Sequence, residues 1–189
     1  MAKELLLNPN SHALPKQCCR IFGIFNILLY ICAKLREERM RAVIQRVTHA
    51  SVTIEGNVHS QIGQGYLILL GVCEEDTMED VEWLVKKIAN LRVFGDENNV
   101  MNRSILDVQG EALVVSQFTL FASYKKGNRP SWFRAGSHEH SIPLYEAFCQ
   151  QLSNQLGRPV GTGEFGADMK VELLNDGPVT ICMDTKNKE

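Results

Sequence analysis

Residues 112–122 read Ala-Leu-Val-Val-Ser-Gln-Phe-Thr-Leu-Phe-Ala, and in this stretch a strand pattern runs into a polar cluster. The apolar run of residues 112–115 follows a Gln-Gly turn signal, which predicts a buried strand. Ser116, Gln117 and Thr119 then place two hydroxyls and an amide among apolar neighbours. A buried polar group without a partner costs about 1–3 kcal/mol. The strand end therefore either caps the next turn with these groups or presents them to a ligand.

The pattern on both sides of this stretch alternates short strands with two helices. Apolar residues at helical spacing predict a first helix from Met78 to Leu91, and Ser141 with Pro143 in the first turn predicts a second that ends at Gly157. Strand patterns, with β-propensity or alternating polarity, occur at residues 41–47, 50–54, 58–62, 66–72, 93–94, 161–164, 171–174 and 179–184. Residues 95–103 and 123–140 are predicted loops, because they are polar and broken by Gly, Asn or Pro.

Composition and charge are those of an ordinary globular protein, with 44% hydrophobic and 22% charged residues in a chain of 189. The net charge is −2; residues 1–39 carry +3, so residues 40–189 carry −5. That negative charge argues against broad coating of nucleic acid, which needs many phosphate contacts. None of the six cysteines has Cys-x-x-Cys spacing, so we expect reduced thiols and no zinc site.

Residues 1–39 differ from the rest of the chain. Their apolar run, residues 21–33, is shorter than the roughly 20 residues that a transmembrane helix needs, and a charged segment follows it where a signal peptide would have small residues. We expect an N-terminal extension that is dispensable or poorly ordered. An interfacial helix with a targeting role is the alternative.

Three motifs together carry a family resemblance. Residues 116–120 read Ser-Gln-Phe-Thr-Leu, residues 175–180 read Asn-Asp-Gly-Pro-Val-Thr, and residues 40–47 read Met-Arg-Ala-Val-Ile-Gln-Arg-Val. In this order the motifs resemble those of the D-aminoacyl-tRNA deacylases, and the resemblance runs from Met40 almost to the C-terminus. It makes residues 40–189 the deacylase domain.

The resemblance implies a fold and an activity. We expect an α/β fold, a single domain with a curved, barrel-like mixed β-sheet and flanking helices, that forms a homodimer with active sites at the subunit interface. The implied reaction is hydrolysis of the ester that joins a D-amino acid, or glycine, to the 3′ end of tRNA. The implied setting is cytoplasmic, with tRNA as the partner, no membrane association and no cofactor.

The implied catalytic residues are Ser116, Gln117, Phe118 and Thr119. A threonine hydroxyl is a weak nucleophile that needs a neighbouring base, and no histidine stands close in sequence. Thr119 therefore either attacks the ester or, as we favour, positions the substrate while the ribose 2′-hydroxyl helps to activate a water. Backbone N–H groups around Phe118 and Thr119 would then stabilise the oxyanion.

The implied substrate-binding residues are Gly177, Pro178, Phe165, Met169 and Arg46. In the family the Gly-Pro bond is cis and enters the active site of the partner subunit, where its main chain excludes an L side chain. The arginine that matches Arg46 holds this Gly-Pro segment in place. The alternative is a simple turn, because Asn-Asp-Gly-Pro is also a strong turn signal. Phe165 and Met169 match a stretch that lines the adenine pocket, although core packing near a Gly-rich bend explains them equally well.

Two other functions remain open at this point. One is the related deacylase that removes L-alanine mischarged on tRNA, whose residues differ from Ser-Gln-Phe-Thr-Leu. The other is non-catalytic binding of nucleic acid such as replication-origin DNA, which the charge of residues 40–189 disfavours. The pair His138 and His140 could suit a metal on a strand face, but no third ligand is evident, so we expect no metal site.

Overall fold

The computed structural model describes residues 40–188, and the predicted extension 1–39 lies outside them. The main sheet has six strands: β1 (Arg41–Ile54), β2 (Asn57–Ile62), β3 (Gly65–Gly71), β6 (Glu111–Ser116), β7 (Gly161–Thr162) and β8 (Met169–Asp184). A small second sheet pairs β4 (Phe94–Gly95) with β5 (Met101–Arg103). The helices are α1 (Met78–Ala89), α2 (His138–Leu156) and a 3-10 helix (Phe118–Phe121).

The main sheet is mixed and follows the order β2-β1-β3-β6-β7, with β8 on the other edge of β1. β1 pairs antiparallel with β2, β3 and β8, whereas β3–β6 and β6–β7 are parallel. The sheet curves into a nearly closed barrel with the two α-helices packed against it. The predicted α/β fold with a barrel-like mixed sheet and flanking helices is confirmed.

The core has two parts. The larger lies between the sheet and both helices and includes Ile44, Tyr66, Leu84 and Phe148, each fully or almost fully buried. The smaller is formed by strand residues such as Val47, Val52 and Leu67. The uninterrupted apolar run of β3 fits this position, since a central strand is covered on both faces.

Several predicted boundaries are wrong, and long-range pairing explains them. The strands predicted at 41–47 and 50–54 are one 14-residue strand, because β8 pairs along its whole length. For the same reason, the strands predicted at 171–174 and 179–184 are one 16-residue strand. The predicted loop 95–103 contains β5.

The second helix also begins earlier than predicted. It starts at His138, because the side chain of Ser137 caps it by accepting a hydrogen bond from the N–H of His140. Ser141, the predicted cap, is buried inside the helix, and Pro143 follows it. The helix ends at the predicted residue, Gly157, which adopts the left-handed conformation with φ 68°.

Candidate active site

A cavity of about 540 Å³ opens where the parallel strands β3, β6 and β7 end. Parallel strands end at the same edge of a sheet, so the segments that follow them converge here. The N–H of Gln117 donates to the carbonyl of Leu70 over 2.7 Å, which extends the ladder by one residue. Its volume of about 540 Å³ lies within the range of about 300–1,000 Å³ that is usual for small-molecule sites.

The cavity brings five of the predicted site residues together: Ser116, Gln117, Phe118, Phe165 and Met169. Ser116 is the last residue of β6, and Gln117 and Phe118 follow it. Phe165 lies in the segment between β7 and β8, and Met169 is the first residue of β8. The chain leaves the strand after Ser116, where the polar cluster predicted a strand end, and then forms the 3-10 helix.

Thr119 lies in the 3-10 helix next to the cavity. Its hydroxyl oxygen accepts a hydrogen bond from the side-chain amide of Gln117. Among residues 40–188, no histidine or carboxylate forms a hydrogen bond with this hydroxyl. The arrangement orients Thr119 without supplying a base that could remove its proton.

The 3-10 helix leaves two backbone donors unused. The N–H groups of Leu120 and Ala122 donate to the carbonyls of Gln117 and Thr119. The N–H groups of Phe118 and Thr119 are at the start of the helix and have no partner in the described part of the chain. Adjacent free N–H groups of this kind can bind a developing negative charge.

An arginine that sequence reasoning missed holds the 3-10 helix. Nη1 of Arg41 donates to the carbonyl of Leu120 over 3.0 Å, and its guanidinium lies 5.1 Å from the ring centroid of Phe121. Nε of Arg41 pairs with Asp184 at 3.0 Å. No sequence signal links Arg41 to a segment 79 residues away, because only the folded sheet places the start of β1 beside it.

Aromatic rings form the opposite wall of the cavity. The ring of Phe165 makes edge-to-face contacts with His138 at 5.4 Å and Tyr145 at 6.0 Å between centroids. The hydroxyl of Tyr145 donates to the carbonyl of Val114 over 2.9 Å, and burial raises the pKa of this phenol well above its usual value. His138, Tyr145 and Trp132 line the cavity and were not predicted as site residues.

Gly177, Pro178 and Arg46 do not line this cavity. Gln45 pairs with Thr180 and Val47 with Asn175, so one residue of β1 faces the four residues 176–179, which form an irregularity in the ladder. Gly177 and Pro178 are exposed there, and their peptide bond is cis, as the resemblance implies. We call residues 176–179 the Gly-Pro bulge.

Short contacts hold the Gly-Pro bulge in place. Arg46 Nε lies 3.0 Å from both the carbonyl oxygen and the carboxylate of Asp176. The side-chain oxygen of Asn175 accepts a hydrogen bond from the N–H of Val179 over 2.8 Å. Gly177 has φ +132°, and an added Cβ would lie 2.8 Å from Val179 Cγ2 and 3.0 Å from Arg46 Nη2. Only glycine fits this conformation.

The two histidines at the start of α2 face different partners. His138 packs on Phe165, whereas the ring of His140 lies 3.1 Å from the carbonyl of Asp76. Within residues 40–188, no group of three or more His, Cys, Asp or Glu side chains is arranged to hold a metal ion. Neither helix of that range is long and apolar enough to cross a membrane.

Comparisons with known proteins identify the family. The family model described as D-Tyr-tRNA(Tyr) deacylase matches residues 43–184. A D-aminoacyl-tRNA deacylase of Phocaeicola vulgatus is 70% identical over 150 residues, which are 79% of this chain and all of the relative. One of Bacteroides thetaiotaomicron is 68% identical over the same share of each chain.

Two solved structures resemble this fold. A structure titled "c-Myc DNA Unwinding Element Binding Protein" is 46% identical, covers 76% of this chain and 97% of its own, and has a TM-score of 0.71. A structure titled "Structural Analysis of a probable eukaryotic D-amino acid tRNA deacylase" is 16% identical, covers 77% of this chain and 98% of its own, and has a TM-score of 0.67. At this identity it supports the fold alone. The family match covers most of residues 40–188 and includes the motifs at residues 116–120 and 175–180, so the chain belongs to the D-Tyr-tRNA(Tyr) deacylase family.

Proposed function

We propose that this protein is a hydrolase that cleaves the ester between a D-amino acid, or glycine, and the 3′ end of tRNA, releasing the free amino acid and tRNA in the cytoplasm. The observation that supports the proposal is the cavity edge formed by Ser116, Gln117 and Phe118. Next to it, Thr119 adds an oriented hydroxyl and a free N–H group beside the free N–H group of Phe118. Family membership supports the same reaction.

The chemistry follows from what the site offers. A water attacks the ester carbonyl, and the N–H groups of Phe118 and Thr119 stabilise the oxyanion that forms. The ribose 2′-hydroxyl helps to take the proton of the water, and the ribose 3′-oxygen leaves and receives a proton. Thr119 acts as a positioning residue, because its hydroxyl has the amide of Gln117 as its partner and no base. The terminal adenine lies against Phe165 and Met169.

Chirality is selected by main chain in this proposal. The Gly-Pro bulge is exposed and rigidly held by Arg46, but it lies outside the cavity lining of its own chain. In a homodimer, the bulge of a second copy reaches the amino group and α-carbon of the substrate. A wall of backbone leaves no room for an L side chain and admits an α-hydrogen, so glycine esters are also cleaved.

The test is a deacylation time course on D-tyrosyl-tRNA and L-tyrosyl-tRNA with wild type, Thr119→Ala and the matched control Thr53→Ala. We expect wild type and the control to remove only the D ester. Thr119→Ala should retain part of the rate, since it loses orientation and not a nucleophile. Loss of D-tyrosyl-tRNA activity to the uncatalysed rate in Thr119→Ala would favour direct attack by Thr119. No cleavage of the D ester by wild type would refute the function.

One observation favours a second candidate. The relative titled "c-Myc DNA Unwinding Element Binding Protein" is 46% identical, and its title concerns DNA. The charge of −5 on residues 40–189 opposes duplex DNA binding as the main role. Salt-dependent binding of duplex DNA near physiological ionic strength, without hydrolysis of D-tyrosyl-tRNA, would support it over the deacylase.

A further inference from the structure

The segment that follows the 3-10 helix forms a closed loop beside the cavity. Ser123 and Ser131 exchange two backbone hydrogen bonds of 2.9 Å, which fixes residues 123–133 as a hairpin-like loop. Arg134 anchors its base by donating to the carbonyls of Phe121 and Ala122. We call residues 123–133 the basic aromatic loop.

The charge of this region is opposite to that of the surrounding domain. Residues 112–138 contain Lys125, Lys126, Arg129 and Arg134 and no Asp or Glu, whereas residues 40–189 together carry −5. Lys125, Lys126 and Arg129 are exposed and form no ion pair in the described part of the chain. Exposed cations without carboxylate partners suit phosphate groups, which would otherwise be repelled by the rest of the domain.

Exposed aromatic rings accompany these cations. Tyr124 is 75% exposed and Phe133 is 77% exposed, and neither makes an aromatic contact within residues 40–188. Trp132 packs edge-to-face on Phe118 at 5.4 Å between centroids, and both rings line the cavity. A run of aromatic faces with interleaved cations is the usual surface for single-stranded nucleic acid, because bases stack on the rings and phosphates meet the cations.

We propose that the basic aromatic loop binds the unpaired nucleotides that precede the terminal adenosine of tRNA, an inference that rests on the proposed function. The terminal adenosine enters the cavity, and the strand leaves it past Trp132 and Phe118. The preceding bases stack on Tyr124 and Phe133 while their phosphates contact Lys125, Lys126 and Arg129. The loop thus supplies affinity for the RNA without taking part in the hydrolysis.

The test separates RNA binding from chemistry by using two substrates, D-tyrosyl-tRNA and the minimal ester D-tyrosyl-adenosine. The variant is Lys125→Ala/Lys126→Ala, and Lys86→Ala/Lys87→Ala is the matched control, since it also removes an adjacent lysine pair, on α1. We expect the loop variant to raise the KM for D-tyrosyl-tRNA about tenfold with kcat unchanged. Its rate on D-tyrosyl-adenosine should equal that of wild type, and the control should match wild type on both substrates.

Salt dependence gives a second measurement that does not need hydrolysis. Binding of a fluorescent single-stranded RNA with the sequence of the tRNA 3′ end is followed by anisotropy as salt is raised. Each lost phosphate contact should flatten the slope of log K against log salt by about 0.7, so the double variant should lose about 1.4. Tyr124→Ala should weaken binding and leave the slope unchanged, because it removes stacking and no charge.

Three outcomes would overturn the proposal. The first is an unchanged KM and salt slope in the loop variant. The second is an equal loss of rate on both substrates, which would mean that the loop only supports the 3-10 helix. The third is tighter binding of duplex DNA than of single-stranded RNA. If wild type cleaves neither ester, the proposed function fails, and the anisotropy measurement alone decides whether the loop binds RNA.

Discussion

Removing the side chain of Arg41 should loosen the 3-10 helix while the sheet stays folded. The lost contacts with this helix are a hydrogen bond of 3.0 Å from a charged donor to the carbonyl of Leu120 and the stacking of the guanidinium on Phe121. The first contributes about 1.5–3 kcal/mol and the second about 0.5–1 kcal/mol. Since the side chain is 32% exposed, we take a low value of about 2 kcal/mol for Arg41→Ala.

Hydrogen exchange measures this effect directly. The amides of Leu120 and Ala122 donate within the 3-10 helix, so they exchange only when it opens. A loss of about 2 kcal/mol corresponds to exchange that is about 30 times faster in Arg41→Ala, because about 1.36 kcal/mol is a factor of ten. Amides of β3, such as that of Ile68, should change far less.

The control is Arg92→Ala, since Arg92 also donates to a backbone carbonyl, that of Asn102, but away from the site. It should leave exchange at Leu120 and Ala122 unchanged. Arg41→Lys should give an intermediate rate, because lysine keeps the charge and loses the planar fork. Unchanged exchange in Arg41→Ala, or an equal increase in Arg92→Ala, would refute the idea that Arg41 holds the helix.

Three further changes should have measurable effects. Gly177→Ala should destabilise the Gly-Pro bulge by about 1–3 kcal/mol, because alanine does not tolerate φ +132°, and should relax the preference for D-tyrosyl- over L-tyrosyl-tRNA in competing deacylation assays. Asp76 is buried and its pKa is raised to about 6, so the folded state takes up a proton more readily than the unfolded state. The free energy of unfolding should therefore fall by about 3 kcal/mol as pH rises from about 4 to about 6, and denaturant titrations should show that Asp76→Asn removes this slope. Phe148→Ala should lower the free energy of unfolding by about 3–5 kcal/mol in the same titrations, since this ring is fully buried between the sheet and the helices; a loss below 1 kcal/mol would contradict that packing.

Sequence patterns predicted helices and turns correctly where residues close in sequence determine the local structure. The stripe from Met78 onward predicted α1, whose capping box at Thr77 and acidic first turn are both present. The Glu-Gly-Asn sequence at residues 55–57 is a local turn signal between two predicted strands, and Gly56 adopts φ +80° where β1 turns into β2. The end of α2 at Gly157 follows for the same reason.

Patterns failed where a distant segment decides the outcome. Residues 48 and 49 have no strand pattern and separate the predicted strands 41–47 and 50–54, yet His49 pairs with Leu174 in the ladder between β1 and β8. No local pattern predicted the 3-10 helix at Phe118–Phe121, which forms where the pairing of β3 with β6 ends at Ser116. Ser137 became the cap of α2 in place of Ser141, which packing buries inside the helix.

Motifs and short-range periodicity were sufficient to predict the family, the two α-helices, most of the strands and the residues at the strand end. Only the tertiary structure decided which of those residues meet. Parallel strands ending at one edge bring Phe165 and Met169 to Gln117 and Phe118, and β1 brings Arg41 to the 3-10 helix. The same folding leaves Gly177 and Pro178 on an exposed bulge outside that cavity. Contacts of this kind join residues dozens of positions apart, and no periodicity in a single chain encodes them.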